Sequence, residues 1–230
     1  MKSVWLWWKQ AEKFASTTTF CIFTTMLNLR NMKKYTWILL IVALVIVVAA
    51  WCVSLYNGLV KKDEAAQAAW SQVENVYQRR MDLIPNLVNT VKGSADFERS
   101  TLEEVVAARA SATQVKVDPS QLTEENIALY QKAQENLSGS LSRLLVTVER
   151  YPELKSNQNF RDLQAQLEGT ENRITVERMK FNEAVRSYNT AIRRFPRNIV
   201  AGMFGFEKKG YFEAAQGAEN APEVSFDFGK

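Results

Sequence analysis

The chain has no histidine, and its two cysteines, Cys21 and Cys52, both precede residue 53. Together these scarcities exclude a disulfide framework, Cys/His zinc sites, a cysteine nucleophile and a Ser-His-Asp arrangement. A chain without cysteine over its last 178 residues suits either redox compartment, so thiol usage says nothing of location. A basic surface large enough for nucleic acid is missing too, although the net charge is +4. Six cations (Lys2, Lys9, Lys13, Arg30, Lys33 and Lys34) face the single acid Glu12 in residues 1–34, and the remainder holds 23 basic and 24 acidic groups. The positive excess therefore flanks one segment instead of forming a binding face.

That segment is the one long hydrophobic run. Trp37 to Leu55, WILLIVALVIVVAAWCVSL, holds 19 residues without a charge, and at about 1.5 Å per residue it nearly crosses a hydrocarbon core of about 30 Å. Trp37, Leu40, Leu44, Val48, Trp51 and Leu55 are its candidate lipid-facing residues, bracketed by Tyr35 and Tyr56 at headgroup level. A cleavable signal peptide is the competing reading, with Val48-Ala49-Ala50 as its cut site. The apolar run continues past that site into Trp51, Val53 and Leu55, which favours a retained span. Trp51 directly before Cys52 opposes a lipoprotein. Arg30, Lys33 and Lys34 against Lys61 and Lys62 place the N-terminus in the cytoplasm and the rest outside. Residues 1–31 show no defensible period, and Met32-Lys33-Lys34 resembles a natural start, so an upstream start codon is expected for the extension, the alternative being an interfacial segment lying on the membrane.

Beyond Tyr56 apolar residues recur at three and four. Ala66, Trp70, Val73, Tyr77, Arg80, Ile84, Leu87 and Val91 form one stripe, which Pro85 is expected to kink or divide and Gly93 to end. Thr101 to Ala112 predicts a short helix. Thr123 starts another, with Leu137, Leu141, Leu144, Val148 and Tyr151 on one face until Pro152. The longest stripe runs from Phe160 through Leu167, Thr170, Ile174, Glu177, Phe181 and Tyr188 to Phe195 and Pro196. The expected fold is all-α: a transmembrane helix, an antiparallel bundle of about four helices, and an irregular C-terminal tail. The segments are an extension over 1–31, an anchor over 32–56, a bundle over 57–196 and a tail over 197–230. The aromatics of that tail, among them Phe204, Phe206, Tyr211, Phe212, Phe226 and Phe228, are expected to pack on the bundle.

Three runs carry a resemblance: AAWSQVENVYQRRMDLIPNLVNTVKG (Ala68 to Gly93), ENLSGSLSRLLVTVERYPELK (Glu135 to Lys155) and LEGTENRITVERMKFNEAVRSYNTAIRRFP (Leu167 to Pro196), joined by AGMFGFEKKGYF from Ala201 to Phe212. With them the chain resembles the LemA family of bacterial membrane-anchored proteins. The resemblance implies an N-terminal membrane helix and a helical bundle, with no established enzymatic activity. Ser94 and Phe97 stand where relatives often carry a tyrosine and a histidine, and Phe181 replaces a usual tyrosine.

The polar signatures are Arg79 to Asn86, Glu149-Arg150-Tyr151-Pro152 and Glu168 to Arg173. A carboxylate pair working as acid and base is one reading of them. The favoured reading is a structural or partner-binding network of Arg80, Asp82, Asn86, Glu149, Arg150, Glu171, Asn172, Arg173 and Glu177, because no nucleophile, metal box or phosphate loop accompanies it. Asp96, Glu98, Glu103 and Glu104 read as solvated acids at a helix start. Arg80 sits where its stripe asks for an aliphatic residue, so it is expected to be at least half buried and paired with Glu171 or Glu177, fixing the register of two helices. The expected function is a non-enzymatic, membrane-anchored scaffold of the bacterial inner membrane with its bundle outside. No catalytic residue, metal or cofactor is expected; the partners are the bilayer and other envelope proteins, not nucleic acid. An envelope enzyme using paired carboxylates and a coiled-coil signal transducer are the alternatives.

Overall fold

A computed structural model describes residues 2–93 and 97–213, with side chains from residue 35 onward. Ser94, Asp96, Gly217, Phe226 and Phe228 lie outside the described residues. Among the described residues six helices follow one another: α1 (Lys2–Lys92), α2 (Arg99–Gln114), α3 (Glu124–Val148), α4 (Pro152–Ser156), α5 (Gln158–Arg193) and α6 (Arg197–Phe204). Among the described residues there is no strand. The chain divides into two units, Met1–Leu55 and Tyr56–Lys230.

In the first unit the side chains from Tyr35 to Ser54 are exposed. Trp37, Leu40, Leu44, Val48 and Trp51 are 48 to 72% exposed, and Leu55 is partly covered. One helix is thus long and apolar enough to cross a membrane. Its first residues, which carry no sequence period, are nonetheless helical from Lys2.

In the second unit α1, α3 and α5 are the long members of an all-helical bundle. Pro85 does not divide α1, which runs on to Lys92. Proline removes the N–H that would bond the carbonyl four residues back, here that of Met81. Arg109 of α2 supplies the missing donor: its Nε–H bonds the Met81 carbonyl at 2.8 Å. The vacated acceptor is satisfied from a neighbouring helix, so the ladder tolerates the ring. Two other expected boundaries move. Pro152 opens α4 as well as following α3, as its fixed φ suits a first helical turn. The segment after Pro196 begins with the eight-residue α6 before it becomes irregular, and α6 ends at Gly205, whose φ of 73° is the left-handed geometry that glycine adopts cheaply.

Caps agree with local chemistry. Thr123 accepts from the Asn126 N–H at the start of α3, and Asn157 accepts from the Asn159 and Phe160 N–H groups at the start of α5. The core falls into two apolar clusters stacked along the helices. One contains Ala66, Trp70, Val73, Tyr77, Ile127, Tyr130, Ile174 and Phe181. The other contains Met81, Ile84, Leu87, Val105, Leu137, Leu141, Leu144 and Leu167.

Candidate functional site

Between those clusters lies a polar layer. On α1 it falls between Tyr77 and Met81, on α3 between Tyr130 and Leu137, and on α5 between Leu167 and Ile174. Arg80 occupies its centre, 2% exposed. One terminal nitrogen donates to Ser138 Oγ at 2.7 Å and to Glu171 Oε2 at 2.9 Å. The other donates to Gln134 Oε1 at 2.7 Å and to the Gln134 carbonyl at 3.2 Å. The guanidinium also lies 5.0 Å from the Tyr77 ring centre. Three helices thus converge on one cation that the bidentate, planar fork of arginine can satisfy and lysine cannot.

The other residues of the expected network do not converge. Asp82 is exposed and accepts from Gln78 at 2.7 Å. Asn86 is exposed, and only its carbonyl is engaged, by Thr90. Glu149 pairs with Lys155, and Arg150 reaches Glu98 at 3.9 Å. Asn172 and Arg173 point to solvent. Glu177 pairs with Lys180 at 2.8 Å, not with Arg80. Glu103 and Glu104 are surface ion-pair partners, of Arg99 at 2.8 Å and of Arg143 at 2.7 Å. Among the described residues no group of three or more acids, cysteines or histidines could hold a metal ion.

A second constellation gathers around the tail, where Phe212 packs on the bundle and side-chain amides add contacts that carry no sequence signal. The segment Phe206 to Glu213 lies across the bundle as a strap whose backbone is read by carboxamides. Asn189 donates to the Lys209 carbonyl at 2.9 Å and accepts from its N–H at 3.0 Å. Asn182 does the same for Phe212, both at 2.9 Å. Gln131 does so for Glu213 at 3.0 and 3.2 Å. Each amide stands in for a neighbouring strand. The Gly210 N–H donates to the Leu122 carbonyl at 2.8 Å, and a Cβ on Gly210 would come within 2.6 Å of Glu124 Cα. Phe212 then enters an aromatic cage, stacked on Trp70 at 5.8 Å and edge-on to Phe181 at 5.5 Å. Lys209, 6% exposed, pairs with Asp63 at 2.9 Å.

The titrating groups nearby are phenols kept neutral. Burial, then Asp63 and Glu207, pushes Tyr188 up to about 12. Burial raises Tyr77 despite Arg178 and Arg80, and raises Tyr130, with Tyr77 adding to it. These hydroxyls remain donors at neutral pH and make poor general bases.

Of the clefts that open on the surface among the described residues, two bear on these readings. One of about 260 Å³ exposes Glu168 and Glu171 beside Arg80. The larger, about 730 Å³, runs between α1 and α2 and is lined by Val88, Phe97, Leu102, Val106, Ala107 and Ala110, with Lys92, Arg99 and Glu103 at its rim.

Comparison with known proteins adds a lineage. The family model described as LemA family matches residues 69–226. Magnetosome protein MamQ of Magnetospirillum gryphiswaldense is 29% identical over 175 residues, covering 68% of this chain and 64% of its own. Magnetosome protein MamQ 2 of Paramagnetospirillum magneticum is 28% identical over 195 residues, covering 76% of this chain and 71% of its own. Protein LemA of Metamycoplasma hominis is 22% identical over 160 residues, 70% of this chain and 69% of its own. The chain thus spans just under two thirds of the first relative's length, and none of these names designates a reaction.

Proposed function

This chain belongs to the LemA family, and from that premise we propose that it is a non-enzymatic scaffold of the bacterial cell envelope, tethered by residues 37–55 and presenting its bundle to other envelope proteins. The carrying observation is the α1/α2 cleft. Its walls are aliphatic and aromatic, Val106 in it is 51% exposed, and its rim has charges of both signs. An apolar floor with a charged rim is the surface an amphipathic partner helix requires. The cleft begins at Val88, roughly 48 Å along the helix from Tyr56 at about 1.5 Å per residue.

Two further observations support the reading. Arg80, the most chemically distinctive side chain, is engaged by contacts inside the bundle, and although Glu168 and Glu171 share a small cleft with it, no metal-binding group joins them among the described residues. The apolar band from Trp37 to Val53 is bare of protein, which in a stable molecule calls for lipid. The cationic flank at Arg30, Lys33 and Lys34 against Lys61 and Lys62 favours a cytoplasmic N-terminus in the inner membrane and a bundle outside it.

The test is a photo-crosslinking amino acid at Leu102 in the full chain in cells. A discrete adduct is expected, lost when Val106→Asp is added and absent when the crosslinker is placed at Val146 on α3. An adduct at Leu102 indifferent to Val106→Asp would remove the cleft from the interface.

A further inference from the structure

The bundle has a second uncovered apolar surface, where the chain leaves the hydrophobic run. Tyr56, one residue past Leu55, packs on Phe204 at 4.8 Å and on Phe206 at 5.7 Å. Arg197 Nη2 lies 3.9 Å from the position a Cβ on Gly58 would take. These contacts hold α6 against residues 56–58. The helix buries Val200 and Ala201 and leaves Ile199, Met203 and Phe204 55, 76 and 61% exposed, and Phe195 just before it is 80% exposed. Ile199 and Met203, four apart, share a face. Four large apolar side chains within ten residues are thus more than half exposed, a local density that isolated surface hydrophobics do not reach.

Beside this patch the surface is cationic. A groove of about 390 Å³ is lined by Lys62, Arg186, Arg194 and Arg197, with Glu183 as its one acid. Lys62 is held by a 2.6 Å bond to Ser187. Arg193 adds an exposed cation at the end of α5. Among the described residues no ion pair engages Arg186, Arg193, Arg194 or Arg197. Other described arginines, such as Arg79, Arg161 and Arg173, also lack a carboxylate partner, so what marks this cluster is that four cations gather with one acid around a single groove. Unpaired guanidinium groups beside exposed Phe, Ile and Met match the two halves of an anionic lipid, phosphate and acyl chain. A protein groove would satisfy the apolar half and a nucleic acid the cationic half, whereas a bilayer meets both. It is also near at hand: Tyr56 is one peptide, about 3.8 Å, from Leu55, and the headgroup layer is roughly 5 to 8 Å deep on each side.

We propose that α6, with Phe195 and the Arg193/Arg194/Arg197 cluster, is an interfacial membrane contact that binds anionic phospholipid. It makes a second attachment for the bundle, in the leaflet the chain has just left. The inference rests on the reading of residues 37–55 as a membrane span, and its test separates the two.

The full chain carrying Cys21→Ala is reconstituted in phosphatidylcholine vesicles, with or without phosphatidylglycerol, containing lipids nitroxide-labelled near the headgroup or deep in the acyl region. A fluorophore on native Cys52 reports the span; one on Met203→Cys (with Cys52→Ala) reports α6; one on Val146→Cys (with Cys52→Ala) reports a water-facing site, as Val146 is 70% exposed. Nitroxides at both depths are expected to quench Cys52, which lies three residues inside Leu55. Shallow nitroxides should quench Met203→Cys in the anionic vesicles, weaken in neutral ones, and spare Val146→Cys. Arg194→Gln with Arg197→Gln should lower the docked fraction's equilibrium roughly 25-fold, about five-fold per cation near an anionic surface. Quenching at Cys52 with none at Met203→Cys overturns the interfacial contact alone. Equal quenching in both vesicles, unmoved by the arginine changes, overturns the anionic-lipid assignment. No quenching at Cys52 overturns the span and this inference with it.

Discussion

Arg80 and Glu171 meet 2.9 Å apart, yet their side chains are 3% and 55% exposed. The pair is therefore one-sided: water reaches the carboxylate but not the guanidinium. Its two halves should differ in what their loss costs. Arg80→Met frees a carboxylate that can hydrate, and leaves acceptors on Gln134 and Ser138 unpaired, costing about 1–3 kcal/mol. Glu171→Leu strands a buried cation without its counter-charge, costing about 3 kcal/mol, the low end for a broken buried pair because one side is wet. The double mutant should resemble Arg80→Met alone. Urea unfolding of the two singles and the double gives the coupling, and simple additivity would argue against the arrangement.

Pro85 and Arg109 make a second cycle. Arg109→Met should cost about 1–3 kcal/mol by orphaning the Met81 carbonyl. In a Pro85→Ala background the backbone N–H restored at that position takes the carbonyl back, and the same Arg109 change should cost much less. Thermal unfolding of the four proteins decides it. An equal cost in both backgrounds would assign Arg109 some other role.

Glu74 gives stability a pH dependence. Burial raises its pKa above the ordinary 4.5, partly opposed by the Trp70 indole beside it. A folded-state pKa above the unfolded one means the folded chain holds the proton more tightly. The stability so contributed is fully present below the unfolded pKa and is lost as pH rises through the folded value. Glu74→Gln should therefore raise the melting temperature at pH 7 relative to the parent chain, and make little difference below about pH 4, where the parent carboxyl is itself protonated. A melting temperature lowered at pH 7 would reverse the assignment.

What was readable in the sequence were features with a period. Apolar residues at three and four outline α1, α3 and α5, and the misfit of an arginine at position 80 in such a stripe points to a buried cation with an acid opposite. What was not readable depends on residues far apart in the chain. Asn182 and Asn189 look like any polar residue on a helix, because their partners are backbone groups some 20 to 30 residues on. Arg109 looks like surface charge for the same reason: its acceptor exists only because a proline elsewhere vacated it. α6 escaped because eight residues carry too few repeats for a period to emerge.

The strap also sets an order of events during biosynthesis. Trp70 leaves the ribosome early and Phe212, which stacks on it, nearly last. Roughly 140 residues separate them, so at about 5 to 20 residues per second the cage stays open for about 7 to 30 s of translation. Gln131 waits for its backbone partner through the later part of that interval, and Asn182 and Asn189 only through its last 20 to 30 residues, and a nascent chain stalled before Gly210 presents Trp70 and Phe181 with one side uncovered. A stop codon within codons 206–212 would thus yield a bundle permanently lacking its closing piece, with Trp70 and Phe181 bare on the side that Phe212 covers.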